Sequence, residues 1–136
     1  MKKLRLIAAA LTSALALTAC QSGTKSASTT DSGKSASLRT METVAIAAHK
    51  CWFAAKDPAF RPYRMANELN NFGGTPRFLL VPAKDYGARP LLVVQATGSS
   101  SRVEVFGPLM DQALGARINS DVSRWAAGDS GCGASA

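Results

Sequence analysis

The sequence predicts a small α+β domain: an N-terminal helix, a meander of three or four antiparallel strands, then a C-terminal helix. Three features point there. Apolar residues recur at three- and four-residue spacing over 41–55 and 114–125, the period of a helix with one buried face. Between these stretches lie short apolar runs separated by Gly-, Pro- and Ser-rich turns, connections too short for the crossovers that parallel neighbours need. From Arg39 onward about a hundred residues remain, enough for one hydrophobic core.

The first helix is expected over residues 40–56. Met41, Val44, Ala45, Ala48, Trp52 and Ala55 share one face, Thr40 is its N-cap, and Asp57-Pro58 stops it because a proline pushes the preceding residue out of the helical region. Residues 59–71 fit either a short strand or packed loop, with Tyr63, Met65 and Leu69 as apolar members. Gly73-Gly74-Thr75-Pro76 is a turn.

Strands are expected at 77–81, 90–96 and 102–106. Gly107-Pro108 opens the second helix, whose buried stripe is Leu114, Ile118, Val122 and Trp125 and whose C-terminal cap is Gly128. Gly115 costs about 1 kcal/mol relative to alanine, so regular helix is expected only after Ala116. Asp121, four residues after Arg117 and three before Arg124, has the spacing of solvated surface ion pairs.

Phe78-Leu79-Leu80-Val81 and Leu91-Leu92-Val93-Val94 do not alternate with polar residues, so both faces of these strands call for burial. With both helices on one face, residues 59–72 are expected to cover the other, burying Tyr63, Met65, Leu69 and Phe72. The alternative is cover supplied by another protein.

The chain opens Met1-Lys2-Lys3-Leu4-Arg5, followed by an apolar run from Leu6 to Ala19. At about 1.5 Å per residue that run is too short to cross a hydrocarbon core of about 30 Å, and it reads as a secretion signal. Leu17-Thr18-Ala19-Cys20 resembles the lipobox of bacterial lipoproteins, a resemblance confined to the leader and Cys20. It implies cleavage before Cys20, a diacylglycerol on its thiol and an acylated amino terminus. Two or three acyl chains anchor a protein stably to a membrane. Gln21, where Asp resembles an inner-membrane retention signal, implies the outer membrane, with the domain facing the periplasm. The other reading is an ordinary signal cut after Ala19 that leaves Cys20 a free thiol. Residues 20–38 are expected to form a flexible tether, since 21–37 contain no aromatic or large aliphatic side chain. The domain is then 39–136.

Outside the cytoplasm, two further cysteines imply a disulfide. Cys51 lies near the end of the first helix and Cys132 just beyond the second, with Trp52 and Trp125 beside the two ends. No C-x-x-C spacing marks a redox pair.

The chain carries sixteen Lys and Arg against nine Asp and Glu, a net charge of +7. Three of the basic residues lie in the leader, which leaves a balance near +4 and removes the case for a nucleic-acid partner. His49 is the sole histidine, without a recognisable nucleophile, and the carboxylates are dispersed, so neither catalysis, a metal nor a cofactor is expected. One cluster points to a ligand: Phe60-Arg61-Pro62-Tyr63-Arg64, with Arg77 shortly after. Guanidinium groups so placed would suit an anionic envelope molecule such as peptidoglycan or lipopolysaccharide. The competing reading is arginine stems covering aromatic rings. The leading expectation is a lipid-anchored structural or adaptor protein of an outer-membrane or wall-associated assembly. A binding module using Arg61, Tyr63, Arg64 and Arg77 is the alternative.

Overall fold

The computed structural model describes residues 33–99 and 101–133; the expected leader, Cys20 and the tether as far as residue 32 lie outside them. Helix α1 spans Ala36–Ala48 and begins one turn before the expected Thr40. Ser35 is the N-cap, its hydroxyl accepting from the Leu38 amide at 3.2 Å, which satisfies one of the donors a helix start leaves open. The buried Ser37 hydroxyl donates to the Gly98 carbonyl at 2.7 Å, so the domain begins inside what the composition assigns to the tether.

The helix continues as a π-helical segment, His49–Ala54. That widening turns two successive residues, Cys51 and Trp52, into the interior. Lys56, at φ 56°, ends the element, and Asp57 caps a 3₁₀ turn over Pro58–Phe60 by accepting from the Ala59 amide.

Four strands follow in spatial order, each antiparallel to the next: β1 (Tyr63–Glu68), β2 (Arg77–Pro82), β3 (Leu92–Ala96) and β4 (Val103–Phe106). The ambiguous stretch after Ala59 is therefore a strand of the sheet. A 3₁₀ turn, Pro108–Asp111, leads into α2, Ala113–Ala126. The helix expected from Gly107-Pro108 thus does begin irregularly, as a 3₁₀ turn broken at Gln112, but it is regular from Ala113, ahead of Gly115 rather than only after Ala116. A Cβ on Gly115 would stand 2.3 Å from the Met110 carbonyl oxygen. The missing side chain lets the helix start press against the preceding turn, a packing requirement that outweighs the glycine's intrinsic cost. Gly128, at φ 101°, follows the helix as expected.

Both helices lie on one face. Alternation along the strands aims Phe78 and Leu80 of β2, and Leu92, Val94 and Ala96 of β3, inward against Met41, Val44, Trp52, Ile118, Val122 and Trp125. Trp52 is the hub. Phe60 stacks on it at 4.4 Å with planes 9° apart, Trp125 lies at 5.1 Å, and Phe78 meets it edge-on at 6.3 Å. The disulfide joins Cys51 to Cys132 across a separation of 81 residues.

The expectation that residues 59–72 cover the far face of the sheet is overturned. Residues 63–68 lie in the plane of the sheet as its first edge strand, so they cannot also lie over it. Tyr63, Met65 and Leu69 pack only partly, against the helix-side core, and Phe72 is fully exposed.

Candidate functional site

The uncovered sheet face is built by register. Pairing sets Ala66 opposite Leu79, Leu79 opposite Val93 and Val93 opposite Phe106. Directly paired residues point to the same side, so these four make one apolar row across all four strands. Ala66, Leu79 and Val93 are half-buried and Phe106 is 47% exposed. Val81 on the same side is buried yet stands apart from the main core. A polar row borders the apolar one: Arg77 Nε donates to Glu68 Oε2 at 2.6 Å, and Gln95 Nε2 to Glu104 Oε2 at 3.0 Å.

The arginine cluster does not gather. Arg64 and Arg77 share the open face, but Arg77 pairs opposite Glu68, four residues along β1 from Arg64, which separates them by about 13 Å. Arg77 is also committed to the Glu68 carboxylate. Tyr63, one residue from Arg64, points to the opposite side of the sheet. Arg61 follows the 3₁₀ turn and lines a hollow with Phe53, Lys56 and Tyr63. Phe60 is buried, and the guanidinium over its ring belongs to Arg117, at 5.4 Å, rather than to Arg61 or Arg64.

The residue that the spacing misreads is Asp121, and the partner it does not foresee is Asp57, which follows the helix end as expected. Asp121 is 6% exposed, not solvated. It accepts from Trp52 Nε1 at 2.9 Å and from Arg124 at 2.7 Å, with Arg117 at 3.7 Å. Arg117 also hydrogen-bonds Asp57. The signal was present: Asp121 stands three after Ile118 and four before Trp125, on the apolar stripe itself. This network joins α2, the π-helical segment and the 3₁₀ turn, and it works as scaffold. His49 is exposed on the helix surface. No group of three or more His, Cys, Asp or Glu among the described residues could hold a metal ion.

The Arg117 guanidinium holds the Asp57 carboxyl below the usual carboxylate range, against the opposing effect of burial. The Gly131 amide and Arg124 act likewise on Asp129. A carboxyl whose folded pKa is depressed stabilises the fold above its unfolded value, near 3.9, and loses that contribution as pH falls through the folded value. Thermal melts are therefore expected to drop below about pH 4, and Asp57→Asn is expected to remove part of that acid limb. An identical acid limb in the variant would assign it to other groups.

No protein-family model, curated protein or solved structure matches the chain. No helix among the described residues is long and apolar enough to cross a membrane.

Proposed function

We propose that this chain is a non-catalytic envelope protein, anchored by lipid at Cys20 on the periplasmic side of an outer membrane, that joins a protein assembly through the open face of its sheet. The observation that carries the adaptor role is the row Ala66, Leu79, Val93 and Phe106, apolar across every strand and left uncovered by the domain's own helices. Antiparallel sheets commonly solvate one face, but with polar side chains there. A protein partner with an apolar strip of its own would bury this row, and the bordering Glu68, Arg77, Gln95 and Glu104 would form the polar rim of the contact. The leader supports the location: a basic start, a short apolar run and Leu17-Thr18-Ala19-Cys20.

The test is a photo-crosslinking side chain at Val93 in intact cells, with labelled palmitate to follow the anchor. One stoichiometric envelope partner is expected, lost when Phe106→Glu charges the row while the fold persists. Label is expected in the wild type and not in Cys20→Ser. A wild-type protein that takes up no label, or a Val93 position that captures no protein, would remove the anchor or the adaptor role respectively.

A further inference from the structure

The outer edge of β1 carries a second surface, distinct from the open face. In an antiparallel ladder alternate residues direct their backbone groups to opposite edges. The Ala83 amide donates to the Pro62 carbonyl, and this fixes the alternation: Arg64, Ala66 and Glu68 bond β2, while Tyr63, Met65 and Asn67 turn their amides and carbonyls outward. No strand of the described residues pairs with that edge. The register runs without a bulge from Tyr63 to Glu68, and no proline interrupts it. Neither a bulge nor a proline therefore blunts it, and its charged residues, Arg64 and Glu68, are on the open-face side rather than the groove side.

A groove lies beside this edge. Helix α1 packs mainly over β3 and β4, so the helix-side face of β1 is left short of cover. The resulting space, of about 570 Å³, is lined by Ala45 and Ile46 of α1, by His49 of the π-helical segment and by Met65, Asn67 and Leu69. Ile46 is 70% exposed on its wall. The Lys34–Glu42 ion pair also lines it. At the Tyr63 end lies the smaller hollow of about 310 Å³ that contains Lys56 and Arg61. Both are exposed, and neither makes an ion pair among the described residues. Asp57 in the same hollow is already matched by Arg117.

We infer that the β1 edge and this groove bind an extended segment of another protein, which adds as a fifth strand and sets a carboxylate against Lys56 and Arg61. A row of outward amides and carbonyls alternating at strand spacing is the complement of an extended backbone. Outward residues from Tyr63 to Asn67 span about 14 Å, which five to seven partner residues would match. Alternate side chains of the guest would enter the groove between Ile46 and Met65, so apolar residues are favoured at every second position. The two unpaired cations at one end select an acidic residue or a free C-terminal carboxylate there. Backbone pairing makes the recognition tolerant of the guest's remaining residues.

The probe is the synthetic peptide acetyl-Ser-Val-Thr-Val-Thr-Val-Asp with a free C-terminus, titrated into the purified full-length chain in detergent. A control peptide carries an amidated Lys in place of the Asp. Saturable binding of the acidic peptide is expected, with slowed amide exchange at Met65 and Asn67. Met65→Pro, which removes one outward donor at an edge position where proline is tolerated, is expected to weaken binding about tenfold. Ile46→Glu alters only the exposed groove wall and is expected to weaken it similarly, which keeps the test decisive if the proline variant unfolds. Lys56→Glu with Arg61→Glu is expected to reverse the preference between the two peptides. Absence of saturable binding, indifference to Ile46→Glu, or protection at Leu79 and Val93 instead would overturn the proposal. A dimer of the chain itself that Met65→Pro renders monomeric would overturn it too, by making a second copy the occupant. The supporting outcomes depend on neither Cys20 nor the open face, and protection at Leu79 and Val93 would favour the adaptor reading while overturning this one, so the two stand or fall separately.

Discussion

Replacing both Cys51 and Cys132 by serine is expected to lower the melting temperature by roughly 10–30 °C. The bridge closes a loop of 81 residues, and restricting that loop in the unfolded chain is worth about 4.5 kcal/mol in the entropy model. A domain of this size has a total stability of about 5–15 kcal/mol, so the bridge supplies a large share. The native side is prepared for the bond. Cys51 is buried beside Trp52, and the chain leading to Cys132 is pinned at Gly131, whose carbonyl accepts from Trp125 Nε1 at 2.9 Å and from Arg124 at 3.0 Å. Thermal denaturation followed by circular dichroism, with and without reductant, measures the effect. A shift below about 3 °C would mean that the reduced chain is already restricted by residual structure.

Asp121→Ala is expected to destabilise the domain by about 3 kcal/mol, read from the urea midpoint. The carboxylate is the common acceptor for Trp52 Nε1 and Arg124. Removing it leaves the indole N–H of a 1% exposed tryptophan without its partner and takes one of two carboxylates from each guanidinium, leaving Arg117 with Asp57 and Arg124 with Asp129. The loss stays at the lower end for a buried pair because the Arg117 and Arg124 side chains keep 23% and 31% exposure, and water screens them. Asp121→Asn is expected to cost less, since its amide oxygen still accepts from Trp52. A double-mutant cycle with Trp52→Phe isolates that hydrogen bond, and additive losses would show that Asp121 acts through the arginines alone.

The sequence made most of the architecture readable because periodicity and turn residues report directly on exposed and buried faces. Ile118, Val122 and Trp125 are buried where the stripe puts them, and the two cysteines are joined. The helix start was misplaced because Ser35 lies in a run of serines whose composition resembles a linker, and only its bond to the Leu38 amide makes it a cap. The π-helical widening at His49–Ala54 has no compositional sign, so Ala55 was assigned to the buried face on which it does not lie. β1 was ambiguous because Tyr63-Arg64-Met65 alternates while Asn67 and Glu68 are poor strand formers, and its pairing with the strongly apolar β2 decides the matter. As for the surfaces, alternation identified the two sets of side chains on β2 and β3, but what lies over them depends on the path of another segment. The arginines were close in sequence and are divided by the sheet, a separation that spacing alone does not encode.

The same bridge has a mechanical consequence. Tension applied between Gly33 and Gly133 would run along α1 to Cys51 and cross directly to Cys132, bypassing the strands entirely. Only the segment from Gly33 to Cys51, nineteen residues, could yield, and its fully extended length is at most about 65 Å. The sheet and α2 sit inside a covalent loop that carries no load, so an end-to-end pull would act on them only by stripping Met41 and Val44 from the core they share, never by drawing strand from strand.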